Sequence, residues 1–243
     1  FSGRLAASYF VAKPGYEWCM HVNSGHIFRG FFFFAAGSKP SLYCWSLPTL
    51  EDSLRNSSMV IEASEKVLSA IERTARKEHL PIMGQERGNL LAEIVRKSKP
   101  KRVLEVGTLI GYSAILMAKE LNSDAELITI EVDRSEAEAA RKNIREAKVK
   151  PKVQVLVGDA SKIIPELKGK FDLVFLDGAK SEYLRHLKLL EDKLRKGSII
   201  VADNAEAFAY LMRDYLDYVR NSGKYESFFI HAGGDGLEVS RKL

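Results

Sequence analysis

Residues 103–113 read Val103-Leu104-Glu105-Val106-Gly107-Thr108-Leu109-Ile110-Gly111-Tyr112-Ser113, and this stretch decides the fold. It begins as a short apolar run, turns at a glycine and continues with residues at helical spacing. Strand–turn–helix units of this kind build parallel sheets whose two faces are both covered by helices. The same change of period recurs further along the chain, so the sequence predicts a doubly wound α/β domain.

The remaining elements follow from the same periodicities. Five apolar runs predict parallel strands at 103–106, 127–130, 153–157, 171–176 and 198–202. Amphipathic spacing predicts helices at about 59–78, 87–97, 113–121, 135–147, 161–167, 183–194 and 205–219. Two further runs, 227–230 and 236–240, are separated by Gly233-Gly234-Asp235-Gly236 and predict a hairpin. The expected fold is a mostly parallel seven-stranded sheet that ends in an antiparallel hairpin.

Composition narrows the class of protein. The chain has 243 residues, of which 46% are hydrophobic and 28% charged, as in an average soluble domain. The net charge of +5 is compatible with an acidic partner without requiring one. There is no apolar run of membrane-spanning length, and two cysteines cannot form a disulfide framework. We therefore expect a cytoplasmic globular protein with no membrane partner.

The first 58 residues differ from the rest. Residues 1–50 hold 12 of the 23 aromatic residues, including the run Phe31-Phe32-Phe33-Phe34, and only one acidic residue. The segment 1–58 has three alternative interpretations: an organellar transit peptide, an accessory element that buries its aromatic rings, or sequence upstream of a start at Met59. Residues 59–243 form the predicted catalytic domain.

Candidate binding residues follow the first three predicted strands. Ligands of open parallel sheets bind beyond the carboxyl ends of the strands. Gly107 and Gly111 allow a close approach of the backbone to a ligand, and Glu131 could accept both hydrogen bonds of a ribose diol. Asp159 could accept an adenine amino hydrogen. Either acid alone is more often a surface carboxylate or a helix cap, but together they favour a nucleoside ligand.

A second group of polar residues follows the fourth and fifth strands. Asp177, Asp203 and Asn204 offer oxygen ligands, which Mg²⁺ prefers, and not the nitrogen and sulfur ligands typical of zinc sites. A metal there could chelate two neighbouring substrate oxygens, and Lys180 could accept a proton. The structural alternative is that both aspartates cap helices and that the lysine is solvated.

The chain from about Ile82 to Leu243 resembles the metal-dependent class I O-methyltransferases, which include catechol and caffeoyl-CoA O-methyltransferases and bacterial tRNA hydroxyuridine methyltransferases. The matching stretches include Leu104-Glu105-Val106-Gly107, Gly111-Tyr112-Ser113, Ile130-Glu131, Val157-Gly158-Asp159-Ala160, Phe175-Leu176-Asp177-Gly178-Ala179-Lys180, Ala202-Asp203-Asn204 and Gly234-Asp235-Gly236. They occur in the family's order over about two thirds of the chain.

The resemblance implies a Rossmann-like fold and S-adenosylmethionine (SAM) as cofactor. The cofactor-binding residues it implies are Met83, Glu105, Gly107, Gly111, Tyr112, Ser113, Glu131, Asp159, Ala160 and Asp177. Of these, Glu105, Gly107 and Ser113 would lie by the methionine part, Glu131 by the ribose, and Asp159 with Ala160 by the adenine. Asp177, Asp203 and Asn204 fall on the metal ligands, and Lys180 falls on the catalytic lysine and acts with Asp177.

The predicted function is methyl transfer from SAM to a hydroxyl of a small catechol-like diphenol, with a divalent metal, expected to be Mg²⁺. One departure concerns the acceptor, because Ile230 stands where catechol O-methyltransferases have an acid. The alternatives are a tRNA hydroxyuridine O-methyltransferase, motivated by the basic stretches 96–102 and 148–152, and a non-catalytic SAM-binding module. Both monomers and homodimers are compatible with the sequence.

Overall fold

A computed structural model describes residues 18–23, 26–31 and 50–243, with side chains at 60 and 62–243. The chain divides into two compact units, 1–59 and 60–243. In the first unit, strands β1 (Trp18–Asn23) and β2 (His26–Phe31) pair antiparallel. The rings of Phe31–Phe34 lie outside the described side chains, so their burial stays a prediction. The three interpretations of residues 1–58 also stay predictions.

The second unit alternates helices and strands along the chain. Its helices are α1 (Leu50–Glu78, which begins in the first unit), α2 (Gly84–Ser98), α3 (Tyr112–Glu120), α4 (Arg134–Ala147), α5 (Ala160–Glu166), α6 (Tyr183–Leu190) and α7 (Arg213–Asn221). Its strands are β3 (Arg102–Val106), β4 (Glu126–Glu131), β5 (Lys152–Val157), β6 (Phe171–Leu176), β7 (Leu194–Ala202), β8 (Tyr225–Ala232) and β9 (Asp235–Lys242).

The seven strands β3–β9 form one sheet in the order β5-β4-β3-β6-β7-β9-β8. The first five in this order pair parallel, whereas β9 pairs antiparallel with both β7 and β8. The β8–β9 hairpin turns at Gly233 and Gly234, whose φ angles of +65° and +77° suit glycine in a two-residue turn. The predicted mostly parallel, seven-stranded fold with a terminal hairpin is confirmed.

The core lies on both faces of this sheet. Along β3, Val103 packs on the side of α1–α4, whereas Leu104 and Val106 pack on the side of α5–α7. Successive side chains of a strand point to opposite faces, so a strand buried on both sides must be apolar without alternation. This requirement explains why the apolar runs identified these strands in the sequence.

The segment after β7 corrects one prediction. The sequence predicts a helix over 205–219, but α7 begins only at Arg213, after an irregular stretch and a single 3₁₀ turn at Ala209–Leu211. The backbone N–H groups of Glu206 and Ala207 each donate to Asp235 Oδ1 at 3.0 Å. A carboxylate from the distant β8–β9 turn therefore holds the backbone that the local pattern assigned to a helix.

Other boundaries move by a few residues. Helix α6 ends at Leu190 rather than 194, and β7 begins at Leu194 rather than 198. Helix α1 begins at Leu50, before the predicted start at 59. Across the described residues, no helix combines the length and apolar character needed to cross a bilayer.

Gly107 joins β3 to the loop that follows, at a point where β6 passes very close. Its φ is +98°, and a Cβ built on it would lie 2.5 Å from the backbone oxygen of Asp177. Backbone on a neighbouring strand cannot swing aside as a side chain can. Gly197, in β7, has a φ of +87° but nothing within 4 Å of a built Cβ. A side chain at Gly107 would thus meet both backbone strain and a steric clash, whereas a side chain at Gly197 would meet backbone strain alone.

Gly107→Ala should lower the free energy of unfolding by about 3 kcal/mol, because left-handed strain adds to the clash. Gly197→Ala is the matched control and should cost about 1 kcal/mol, from strain alone. Urea titration followed by circular dichroism measures both. Equal losses would show that the close approach of β3 and β6 is not a constraint.

Candidate active site

The polar residues predicted at strand ends meet at one edge of the sheet. Hydrogen bonding continues just past the strands: Gly107 N donates to Ile130 O at 3.0 Å, and Gly158 N donates to Glu131 O at 2.8 Å. In the same way Asp177 N donates to Val106 O at 2.8 Å, and Asp203 N donates to Leu176 O at 3.0 Å. This continuation of the ladder fixes the backbone from which the site residues project.

A cavity of about 500 Å³ opens at this edge. Eight of the ten predicted cofactor-binding residues line it: Met83, Gly107, Tyr112, Ser113, Glu131, Asp159, Ala160 and Asp177. Glu105 and Gly111 are not among the lining residues. Gly111 is the residue before α3 and has a φ of +90°, and a Cβ there would lie 3.3 Å from Ala140 Cα. Its visible role is the close packing of α3 against α4.

Glu131 holds the loop that follows β3. Its Oε2 accepts hydrogen bonds from the backbone N–H groups of Thr108 at 3.1 Å and Leu109 at 2.7 Å, and Oε1 accepts from Asp133 N at 2.9 Å. The side chain is buried and still borders the cavity. Each carboxylate oxygen has more than one lone pair, so these bonds leave room for a ligand hydroxyl.

Asp159 caps helix α5. Its Oδ1 accepts from Ser161 N at 2.8 Å, while the residue remains exposed at the cavity. The helix-cap alternative considered for this residue is therefore part of the structure. The position next to Ala160 in the cavity wall also keeps both residues available to a ligand.

Glu105 lies beneath the cavity, fully buried in β3. Ser113 and Thr129 each donate a hydroxyl hydrogen bond to its carboxyl group. Burial raises the pKa of Glu105 to about 8, and the charges of Asp177 and Glu131 add to the rise, although the two hydroxyl groups oppose it. The carboxyl is therefore mainly protonated at neutral pH. It lies behind Ser113, which lines the cavity.

Asp177 and Lys180 form the first half of the predicted catalytic group. Lys180 Nζ donates to Asp177 Oδ1 and to the Tyr183 hydroxyl, both at 2.9 Å. The side chains of the lysine and the aspartate are only 14% and 18% exposed. Burial raises the pKa of Asp177 to about 7; nearby Asp203 raises it further, whereas Lys180 lowers it. Burial thus disfavours the ionised form of this carboxyl, and Lys180 favours it.

Asp203 and Asn204 form the second half, and two residues absent from the predicted set hold them. Arg87 Nη1 lies 2.8 Å from Asp203 Oδ1 and 2.9 Å from Oδ2. Asn204 Nδ2 donates to Asp235 Oδ2 at 2.7 Å, so the amide oxygen is the end not held by that bond. Burial raises the pKa of Asp203, and Arg87 opposes the rise.

This donor set fits a divalent cation in its chemistry. The carboxylates of Asp177 and Asp203 repel each other where solvent screening is weak, and a cation between them would relieve this repulsion. Together with the Asn204 amide oxygen they form a hard-oxygen group of the type that Mg²⁺ selects. Among the described side chains, His, Cys, Asp and Glu residues form no metal-binding group of three or more. A cation at this edge would therefore have two carboxylates and the Asn204 amide oxygen as protein ligands.

Comparisons with known proteins identify the family of this chain. A family model described as O-methyltransferase matches residues 57–217, which is more than half of the chain. The chain belongs to the O-methyltransferase family.

This O-methyltransferase is similar to two curated relatives. It is 39% identical over 190 residues to catechol O-methyltransferase B of Danio rerio, which covers 72% of this chain and 71% of the relative. It is 36% identical over 170 residues to the catechol O-methyltransferase of Mus musculus, which covers 67% of this chain and 63% of the relative. The chain thus spans about two thirds of the length of these relatives.

A solved structure supports the same class. The O-methyltransferase of tomaymycin synthesis from Streptomyces achromogenes, in complex with SAM, is 28% identical, with a TM-score of 0.67 over 73% of this chain and 89% of that chain. The predicted enzyme class is confirmed: the chain is a SAM-dependent O-methyltransferase with a Rossmann-like fold.

The structure of this O-methyltransferase also shows site residues that the sequence analysis missed. Arg87 occupies the buried side of α2, one residue before buried Gly88 and four before buried Leu91. A charged residue at an apolar helical position was the available signal, because such a charge needs a partner. His186 lines the cavity, and burial lowers its pKa. It lies on the buried face of α6 with Tyr183, Leu187 and Leu190, and the sequence gives no indication that this face borders the cavity.

Glu105→Gln should make the O-methyltransferase progressively more stable than wild type as pH rises from 6 to 8. The folded-state pKa of Glu105, about 8, exceeds the ordinary value of 4.5. Wild type therefore binds this proton more tightly when folded, and its stability falls with rising pH, by at most about 1.4 kcal/mol per pH unit. Gln cannot titrate and preserves the shape. Urea titrations at each pH measure the difference, and a pH-independent difference would contradict the assignment.

Proposed function

We propose that this enzyme transfers the methyl group of SAM to one hydroxyl of a catechol-like vicinal diphenol, with a divalent metal at Asp177, Asp203 and Asn204. The observation that carries the proposal is the polar cluster beside the cavity, where Lys180 and Asp177 lie 2.9 Å apart and mostly out of water. Asp177 belongs to both the cluster and the cavity wall. Cofactor and acceptor would therefore meet at this aspartate.

The cofactor would occupy the cavity along its length. In this proposal Glu131 binds the ribose, Asp159 and Ala160 lie by the adenine, and Met83, Gly107, Tyr112 and Ser113 surround the methionine part. Glu105 and Gly111 support the cavity from outside its wall. Tyr112 is anchored for this task, since its hydroxyl donates to Glu72 Oε1 at 2.7 Å and ties α3 to α1.

The reaction forms an O–CH₃ bond as the S–CH₃ bond of SAM breaks, and the hydroxyl proton leaves to Lys180. A divalent metal would chelate both acceptor oxygens and lower the pKa of the hydroxyl. Lys180 would accept this proton in its neutral amine form, and Asp177 and Tyr183 orient its amino group. Positioning and charge neutralisation supply most of the rate in such a transfer.

The ring of the acceptor would rest on apolar side chains next to Asn204. Ala205 N donates to Gly236 O at 3.1 Å, and His231 Nδ1 lies 2.9 Å from Glu206 Oε2, so the segment after Asn204 abuts the β8–β9 hairpin. Phe208 and Phe229, 40% and 36% exposed, lie on these two pieces of chain. Half-buried Ile230 offers no acid for the second hydroxyl, so a metal held by Asp177, Asp203 and Asn204 would have to bind that oxygen as well.

The tRNA alternative has less support from the structure. The two basic stretches precede β3 and β5 and therefore lie at the opposite end of the parallel strands from the cavity. Several of their charges are already paired with acids, as in Arg102–Glu126 at 3.0 Å and Lys152–Glu126 at 2.8 Å. Use of tRNA, a homodimer and a cytoplasmic location all stay predictions.

Methyl transfer from labelled SAM to a simple catechol acid tests the proposal. With Mg²⁺ we expect turnover, and EDTA should abolish it because the acceptor oxygens lose their common ligand. Turnover that survives EDTA would refute the metal. An absence of turnover in protein shown to bind SAM would refute the catechol acceptor and direct the search to modified tRNA.

Asp203→Asn should reduce methyl transfer to the catechol acid by roughly 100-fold or more, because a charged ligand of the acceptor-binding metal is lost. Affinity for S-adenosylhomocysteine should change little, since Asp203 does not line the cavity. Asp217→Asn, on the exposed face of α7, is the matched control. Unimpaired transfer by Asp203→Asn would remove this residue from the mechanism.

A further inference from the structure

Arg87 is a cationic side chain that contacts the carboxylate of Asp203 in the candidate active site. It extends from α2, and its Nη1 is within 2.9 Å of both Asp203 oxygens and 3.5 Å from Asp235 Oδ2. The side chains of the arginine and of the two aspartates are 14%, 2% and 8% exposed. One guanidinium nitrogen thus contacts two carboxylates, both mostly shielded from water.

This contact occupies the carboxylate that the proposed function gives to the metal. A guanidinium and a divalent cation on the same carboxylate oxygens repel each other, and the repulsion is strong where solvent screening is weak. Removal of the arginine alone would leave a buried, unpaired carboxylate, which is costly. Asp203 therefore needs one positive charge beside it, and both the Arg87 guanidinium and a divalent cation could supply that charge.

We propose that Arg87 is the resident counter-cation of the metal site: it neutralises Asp203 in the metal-free enzyme and shifts towards Asp235 when a divalent cation binds. This inference rests on the metal of the proposed function. It adds that the chain itself carries a competitor for that metal, which sets the metal affinity and stabilises the empty site.

Asp235 is built to receive the displaced guanidinium. Its Oδ1 accepts from the backbone N–H groups of Glu206, Ala207 and Gly236 at 2.9–3.0 Å, which fixes the carboxylate in place. Its Oδ2 faces both Asn204 Nδ2 and Arg87 Nη1. A small movement of one side chain would thus transfer the arginine from one fixed carboxylate to another.

The test is a Mn²⁺ titration followed by the electron paramagnetic resonance signal of free Mn²⁺, at constant ionic strength and without SAM or acceptor. The variants are Arg87→Gln, Asp235→Asn and the double variant, with Arg96→Gln as matched control. Arg96 lies on the same helix, is 63% exposed, and approaches Glu120 at 3.8 Å. Thermal melting of each protein with and without Mg²⁺ reports on folding.

Arg87→Gln should bind Mn²⁺ about tenfold more tightly than wild type, because a nearby positive charge is gone. Its metal-free form should melt at a lower temperature, and saturating Mg²⁺ should close most of that gap. Asp235→Asn should weaken Mn²⁺ binding in the presence of Arg87 and do so much less in the Arg87→Gln background. Arg96→Gln should match wild type in both measurements.

Equal or weaker Mn²⁺ binding by folded Arg87→Gln would overturn the competition while leaving the metal site in place. Identical effects of Asp235→Asn in both backgrounds would overturn the transfer to Asp235. If neither wild type nor Arg87→Gln binds Mn²⁺, the metal of the proposed function fails, and the inference fails with it. These three results are distinct from one another.

Discussion

Four acidic side chains lie at the carboxyl edge of the parallel sheet, mostly shielded from water. The rest of the site depends on how the charge or the buried carboxyl group of each one is compensated. Parallel strands bring their carboxyl ends to one edge of the sheet. The strand pairing alone therefore brings together four acids: Glu105, Glu131, Asp177 and Asp203. Each would be destabilising alone. The surrounding elements supply a different partner to every one of them.

The partners divide these acids into two classes. Glu105 is hydrogen-bonded by hydroxyl groups and holds its proton, and Glu131 is bound by backbone N–H groups of the neighbouring loop. Both serve to build the cavity. Asp177 and Asp203 are instead opposed by the charged side chains of a lysine and an arginine. A side-chain charge can be replaced by the charge of a ligand, whereas a backbone contact cannot, and this difference separates the framework of the site from its proposed reactive part.

The sequence carries the local part of this arrangement and misses the long-range part. Apolar runs buried on both faces identify the strands, and the residues that follow them locate Asp177, Asp203 and Asn204 at one edge. Arg87 and Asp235 could not be placed in the same way, because they lie 116 and 32 positions from Asp203 along the chain. The helix predicted over 205–219 failed for the same reason: Asp235 reorganises its first turns from another element.

The position of β9 has a consequence for how this enzyme is made. This strand is synthesised after β8 but lies inside it, between β8 and β7, and Asp235 is its first residue. Until β9 emerges from the ribosome, β7 presents an open edge and Arg87 has only one of its two carboxylates. The residues that line the cavity all precede β7 in the chain, so the cavity wall does not include β9, whereas the proposed acceptor side does. The contacts of Asp235 with Asn204 and with the backbone of residues 206 and 207 thus form only once β9 is in place.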